Sequence, residues 1–103
     1  MSSSNTKSVV ILPGDGIGPE VIAQARRVLA WASDQSSVAL SLSDRHYGLE
    51  SYQRSGEVLT EETLADVLAA DAVLFGASGT NDHNDIPRDV KRRGSLLRMR
   101  KEM

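Results

Sequence analysis

The stretch V-V-I-L-P-G-D-G-I-G-P-E, residues 9–20, decides the fold. An apolar, β-branched run breaks into alternating glycines and restarts at a proline, which reads as a strand, a tight turn and a helix. Gly14, Gly16 and Gly18 tolerate positive φ and let a bulky group approach the main chain. Pro19 suits the first helical position, where no hydrogen bond is lost, and Glu20 lies where the helix dipole favours an acid. Spacing excludes two phosphate loops. The dinucleotide fingerprint needs its third glycine at position 19, and the P-loop needs a following Gly-Lys-Ser/Thr; neither is present.

Working outward, residues 8–12 form a continuously apolar strand, the pattern of a central strand covered on both faces. The helix is expected over residues 19–33, with Val21, Ile22, Ala25, Val28, Leu29 and Ala32 as its apolar stripe and Trp31 off it. Trp31 is read as a packing residue, or a contact with chain missing here, rather than a ligand platform. Residues 38–43 alternate strictly and read as a half-buried strand, followed by a short helical turn around residues 50–54. Thr60 offers a hydroxyl cap, Glu61 and Glu62 follow in the first turn, and Leu64, Val67 and Leu68 supply an apolar face ending near Ala70. Residues 72–75 form a third strand ending at Gly76, and residues 77–87 form a polar loop. Residues 94–103 hold strong helix formers throughout. Strand, helix, strand, helix, strand implies an α/β layer with a largely parallel sheet flanked by helices. Ligands then bind beyond the carboxyl ends of the strands, where both the glycine turn and the turn after Gly76 fall.

The 103 residues have the length of one small domain, and the net charge of −2 gives no reason to expect nucleic acid as a partner. The charge is segregated, however: Arg88, Lys91, Arg92, Arg93, Arg98, Arg100 and Lys101 crowd one end. Such a cluster reads either as a solvated face or as an anion site. With no cysteine, disulfides, thiolate metal sites and a Cys nucleophile are excluded, which suits a reducing compartment; the cytoplasm is the expected location. Residues 1–7 are polar and expected to be a disordered tail, and the apolar run after them is too short for a membrane span.

Three ordered motifs carry a resemblance: L-P-G-D-G-I-G-P-E at 12–20, A-D-A-V-L-F-G-A at 70–77 and R-G-S-L-L-R-M-R-K at 93–101. Together they resemble the β-decarboxylating dehydrogenases of 2-hydroxy acids, the isocitrate/isopropylmalate dehydrogenase family. The resemblance implies that residues 8–103 are the N-terminal part of that family's α/β fold, which is not a Rossmann fold, truncated at 103. It further implies a homodimeric oxidoreductase that takes a small 2-hydroxy acid, uses NAD and Mg²⁺ or Mn²⁺, and needs no membrane. The metal ligands and the catalytic residues are expected beyond Met103, so the chain alone is expected to be inactive.

The resemblance also assigns residues. Arg100, just before Lys101, matches the first arginine of the substrate carboxylate clamp, and a planar guanidinium can grip a carboxylate bidentately. In a helix, Leu96 lies one turn from Arg100 on the same face, while Arg98 points away. Leu96 stands where isocitrate enzymes place an asparagine, so it is read as an alkyl wall, and 3-isopropylmalate, with a role in leucine biosynthesis, is the implied substrate. Gly79, Thr80, Arg92 and Arg93 are expected to line the cofactor. Arg92 stands where isopropylmalate enzymes usually carry an acid, and the loop reads G-T-N-D-H-N-D rather than the usual Gly-Gly-Pro-Lys-Trp. A tartrate- or malate-type decarboxylating dehydrogenase is therefore the second reading. A non-catalytic anion-binding module is a third, from another class. His83, between Asp82 and Asp85, is read as a loop surface residue.

Overall fold

The computed structural model describes residues 6–78 and 86–103. In chain order the elements are β1 (Thr6–Gly14), α1 (Gly18–Gln35), β2 (Ala39–Asp44), α2 (Leu49–Ser55), α3 (Glu61–Ala69), β3 (Ala72–Ala77), α4 (Arg88–Arg93) and α5 (Leu96–Glu102). The three strands form one parallel sheet in the order β2-β1-β3. β1 is central, as its unbroken apolar run requires. Val10 and Leu12 face one core and Val9 and Ile11 the other. The first core is roofed by Leu64 and Val67 of α3, Val90 of α4 and Met99 of α5; the second meets Ile22 of α1. The sheet is thus sandwiched between α1 and the remaining helices.

β1 begins at Thr6, earlier than the sequence suggests, because Thr6 and Lys7 pair with Ala39 and Leu40 of β2. The remainder of the expected tail lies outside the described residues. β3 likewise runs through Gly76 to Ala77, which pairs with Gly14. The glycine turn works by two means. Gly14 and Gly16 adopt positive φ (80° and 58°), whereas Gly18 starts α1 with ordinary φ and is needed because a Cβ there would strike the Pro13 carbonyl.

α1 differs from its expected stripe. Ile22 is buried, but Val28 of the stripe is 63% exposed; Trp31, off the stripe, is 64% exposed. Only three strands with their own helices are described, and nothing in them reaches the outer side of α1. α3 follows the sequence closely: the Thr60 hydroxyl accepts the Thr63 N–H at 3.0 Å and caps it. Among the described residues no helix is long and apolar enough to cross a membrane.

The helix expected over residues 94–103 is α5, and a separate helix the sequence did not suggest, α4, precedes it. α4 follows Pro87 and ends at Gly94; α5 starts after Ser95, whose hydroxyl accepts the Arg98 N–H at 3.0 Å. Gly94 is buried, and a Cβ on it would lie 2.6 Å from the Val58 Cβ and 2.9 Å from the Leu59 nitrogen. The break is therefore where the chain presses against the α2–α3 connection.

Candidate active site

The carboxyl ends of the three strands form one rim, as parallel strands must. On it the Asp15 N–H donates to the Ala77 carbonyl at 2.8 Å, which closes the glycine turn onto the end of β3. The buried Asp15 carboxylate accepts the Leu49 N–H at 2.8 Å and fixes the start of α2. Between the ends of β1 and β2 lies a cavity of about 320 Å³ lined by Pro13, Gly14, Pro19, Arg45, His46 and Glu50 among others. Its polar side chains are largely paired: Arg45 to Asp66 at 2.7 Å and His46 to Glu50 at 3.0 Å.

The basic segment sorts its cations into two kinds. Arg93 makes a two-pronged contact with Glu57 (3.2 and 2.9 Å) and reaches Asp89 at 3.2 Å. Those carboxylates hold the Arg93 guanidinium above its usual value, and Arg93 in turn holds Asp89 below the usual carboxylate range. Arg98 donates to the Arg93 carbonyl at 2.8 Å and leans toward Glu61 and Glu102. Both arginines tie α4 and α5 to the body. Arg92 and Arg100, by contrast, are exposed and have no ion pair among the described residues.

Leu96 and Arg100 share α5 one turn apart, as the sequence suggests, with Met99 between them buried as the anchor of the helix. Leu96 is half-buried against the first core and Leu97 is mostly exposed. Leu96 therefore presents part of its side chain to solvent beside an exposed guanidinium. Gly79 and Thr80, expected to line the cofactor, lie outside the described residues, as do Asp82, His83 and Asp85. No group of three or more His, Cys, Asp or Glu among the described residues could hold a metal ion. These residues do not fit a metal site by themselves.

Sequence reasoning missed Tyr47 and the side-chain role of Asp15. The Tyr47 ring is buried, meets Phe75 edge-on at 5.0 Å, and its hydroxyl donates to the Gly94 carbonyl at 2.6 Å. Burial pushes the Tyr47 phenol up to about 12, a hydrogen bond from Ser78 lowers it, and the Asp15 charge raises it. Nothing local marks Tyr47, since its partner is 47 residues away. Asp15 sat in plain view, but only its place in the turn was informative.

Comparison with known proteins agrees with this fold. The sequence model described as isocitrate/isopropylmalate dehydrogenase matches residues 8–103. The chain is 44% identical over 96 residues to 3-isopropylmalate dehydrogenase of Ruegeria pomeroyi, covering 93% of the chain and 26% of that protein. It is 40% identical over 97 residues to 3-isopropylmalate dehydrogenase 1 of Bradyrhizobium diazoefficiens, with 94% and 26% covered. The crystal structure of an apo β-decarboxylating dehydrogenase from Thermococcus kodakarensis superimposes with a TM-score of 0.68 at 38% identity, over 93% of this chain and 26% of that one. The chain thus spans about a quarter of the length of the relatives it matches. Its sheet order, its glycine turn and the match over residues 8–103 show that the chain belongs to the isocitrate/isopropylmalate dehydrogenase family.

Proposed function

We propose that this chain supplies the first part of an NAD-dependent 3-isopropylmalate dehydrogenase acting in leucine biosynthesis, with residues 8–103 opening its first domain. The observation that carries the reading is the pairing on α5 of exposed Arg100 with half-buried Leu96, one turn apart. Arg100 grips a malate carboxylate by its planar fork, and Leu96 covers the alkyl branch. A third carboxylate in place of that branch would face leucine and lose its hydration without gaining a partner. The relatives named 3-isopropylmalate dehydrogenase support the same substrate.

In this reading Arg92, with Gly79 and Thr80, lines the cofactor, and Arg93 joins them only by exchanging Glu57 or Asp89 for a cofactor anion. NAD and Mg²⁺ or Mn²⁺ belong to the proposal as the family's cofactors, held chiefly by residues other than those described. The enzyme is proposed to be a cytoplasmic homodimer, with the 103 residues alone inactive.

The test is kcat/KM of the enzyme carrying this chain for isopropylmalate, malate, tartrate and isocitrate. Isopropylmalate should be preferred, and Leu96→Asn should erode the preference by roughly ten-fold or more, the worth of a few methylenes. Arg100→Gln should raise KM for every malate by about thirty-fold, since it removes a charge-assisted pair. Faster turnover of unsubstituted malate or tartrate by the unmodified enzyme overturns the assignment in favour of a tartrate- or malate-type enzyme.

A further inference from the structure

The helix that carries Leu96 and Arg100 is short, and its start is fixed at Gly94. α5 has seven residues, and the residue before its cap, Gly94, is buried against Val58 and Leu59 with no space for a Cβ. The Gly94 carbonyl receives the Tyr47 hydroxyl at 2.6 Å. Ser78, just past β3, stands near the same phenol. The ring meets Phe75 of β3, and the N–H of the following residue, Gly48, donates to the Val58 carbonyl at 3.0 Å. The next residue along, Leu49, donates its N–H to Asp15 in the glycine turn. An unbroken set of contacts therefore runs from the glycine turn, through Tyr47, to the hinge between α4 and α5.

We propose that Tyr47 is a positioning residue for Arg100: its hydroxyl fixes the α4–α5 hinge and so sets where the guanidinium stands relative to the glycine turn. This rests on the reading of Arg100 as a carboxylate clamp. The hydroxyl, and not the ring, is the active part. Phenylalanine would fill the same core volume and keep the contact with Phe75, but it has no donor for Gly94. Because burial keeps the phenol protonated well above neutral pH, the donor is present wherever an enzyme of this kind works.

Geometry makes the hinge sensitive. From Gly94 to Arg100 a helix rises roughly 9 Å, so a tilt of about 10° at the hinge displaces the Arg100 backbone by around 1.5 Å. Misplacing a gripping group by about 1 Å can cost on the order of a hundred-fold in rate. Met99 remains as the other anchor, so loss of the hydroxyl loosens α5 without detaching it.

The experiment compares Tyr47→Phe with the unmodified protein by two measurements. In peptide-resolved hydrogen exchange, residues 96–103 should exchange about ten-fold faster in the variant, the equivalent of one lost buried hydrogen bond, while residues 8–14 and 61–69 stay within about two-fold. An even acceleration everywhere, or none in residues 96–103, overturns the proposal. In steady-state kinetics of the holoenzyme, Tyr47→Phe should raise KM for isopropylmalate by about ten-fold and leave KM for NAD unchanged. Arg100→Gln separates the two readings. If it raises that KM and Tyr47→Phe does not, the positioning role fails while the clamp stands; if Arg100→Gln changes nothing, the clamp itself fails, and the positioning role with it.

Discussion

The Asp15 carboxylate accepts the backbone N–H of Leu49 at 2.8 Å, so the acid inside the glycine turn serves as the cap of a different helix, α2. Asp15 is 5% exposed, and the Gly48 backbone approaches its oxygens so closely that a Cβ at position 48 would collide with them. The turn between β1 and α1 and the turn between β2 and α2 are thereby one unit. Asp15→Ala should lower the urea unfolding free energy by about 1–3 kcal/mol, because it leaves the Leu49 donor unpaired away from water. Asp15→Asn keeps an acceptor oxygen and should lose less than half as much. Equal losses in the two variants would mean that the carboxylate's charge, not its acceptor oxygen, matters.

Gly94 is needed for space and not for its φ, which is an ordinary −100°. Gly94→Ala places a methyl group 2.6 Å from the Val58 Cβ and 2.9 Å from the Leu59 nitrogen, and a backbone atom cannot swing aside. The expected loss is about 1–3 kcal/mol, as for other overpacked cores. Val58→Ala in the same chain should recover part of it, although it opens space of its own. A double-mutant cycle on thermal unfolding reads the coupling, and simple additivity would show that the close approach is not the cause.

Tyr47 predicts an alkaline limit. Its phenol is pushed from 10.0 to about 12 in the folded chain, so between those values the unfolded chain gives up a proton that the folded chain retains. Fewer bound protons in the unfolded state means that stability falls as pH rises through this window. The loss should reach on the order of 2 kcal/mol by the top of it. Melting temperature measured against pH from 9 to 12 should decline, and in Tyr47→Phe the decline should be shallower. The same slope in both proteins would remove Tyr47 as its source.

The outer side of α1 carries Val21, Val28 and Trp31, all exposed, with Gln24 and Arg27 beside them. An uncovered apolar helix face promotes association. The 103 residues alone should therefore elute at an apparent mass that rises with concentration, and Trp31→Arg should suppress the rise. Since Trp31 is 64% exposed, that change should move folding stability by no more than about 0.5 kcal/mol. A concentration-independent monomer in the unmodified chain would show that this face is tolerated by water.

Much of the architecture follows from interactions between chain neighbours, and those are written in the sequence. The unbroken apolar run of β1 demanded a central strand; Thr60 and the two acids after it set the start of α3; the alternating glycines required a turn that only their missing side chains permit. The spacing of Leu96 and Arg100 likewise follows from helical geometry alone. The tertiary structure decided the rest. The place where α4 stops and α5 begins is held by a hydroxyl 47 positions upstream and by the close approach of Val58 to Gly94. Which arginines were tied down depended on where Glu57, Glu61 and Asp89 came to stand. A basic run in sequence is a set of equal charges, and only folding distinguishes Arg93, gripped by two carboxylates, from Arg100, which faces water. Local order is set by φ, caps and periodicity within a few residues, whereas the hinge and the division of charge arise from contacts that exist only once the sheet has brought distant segments together.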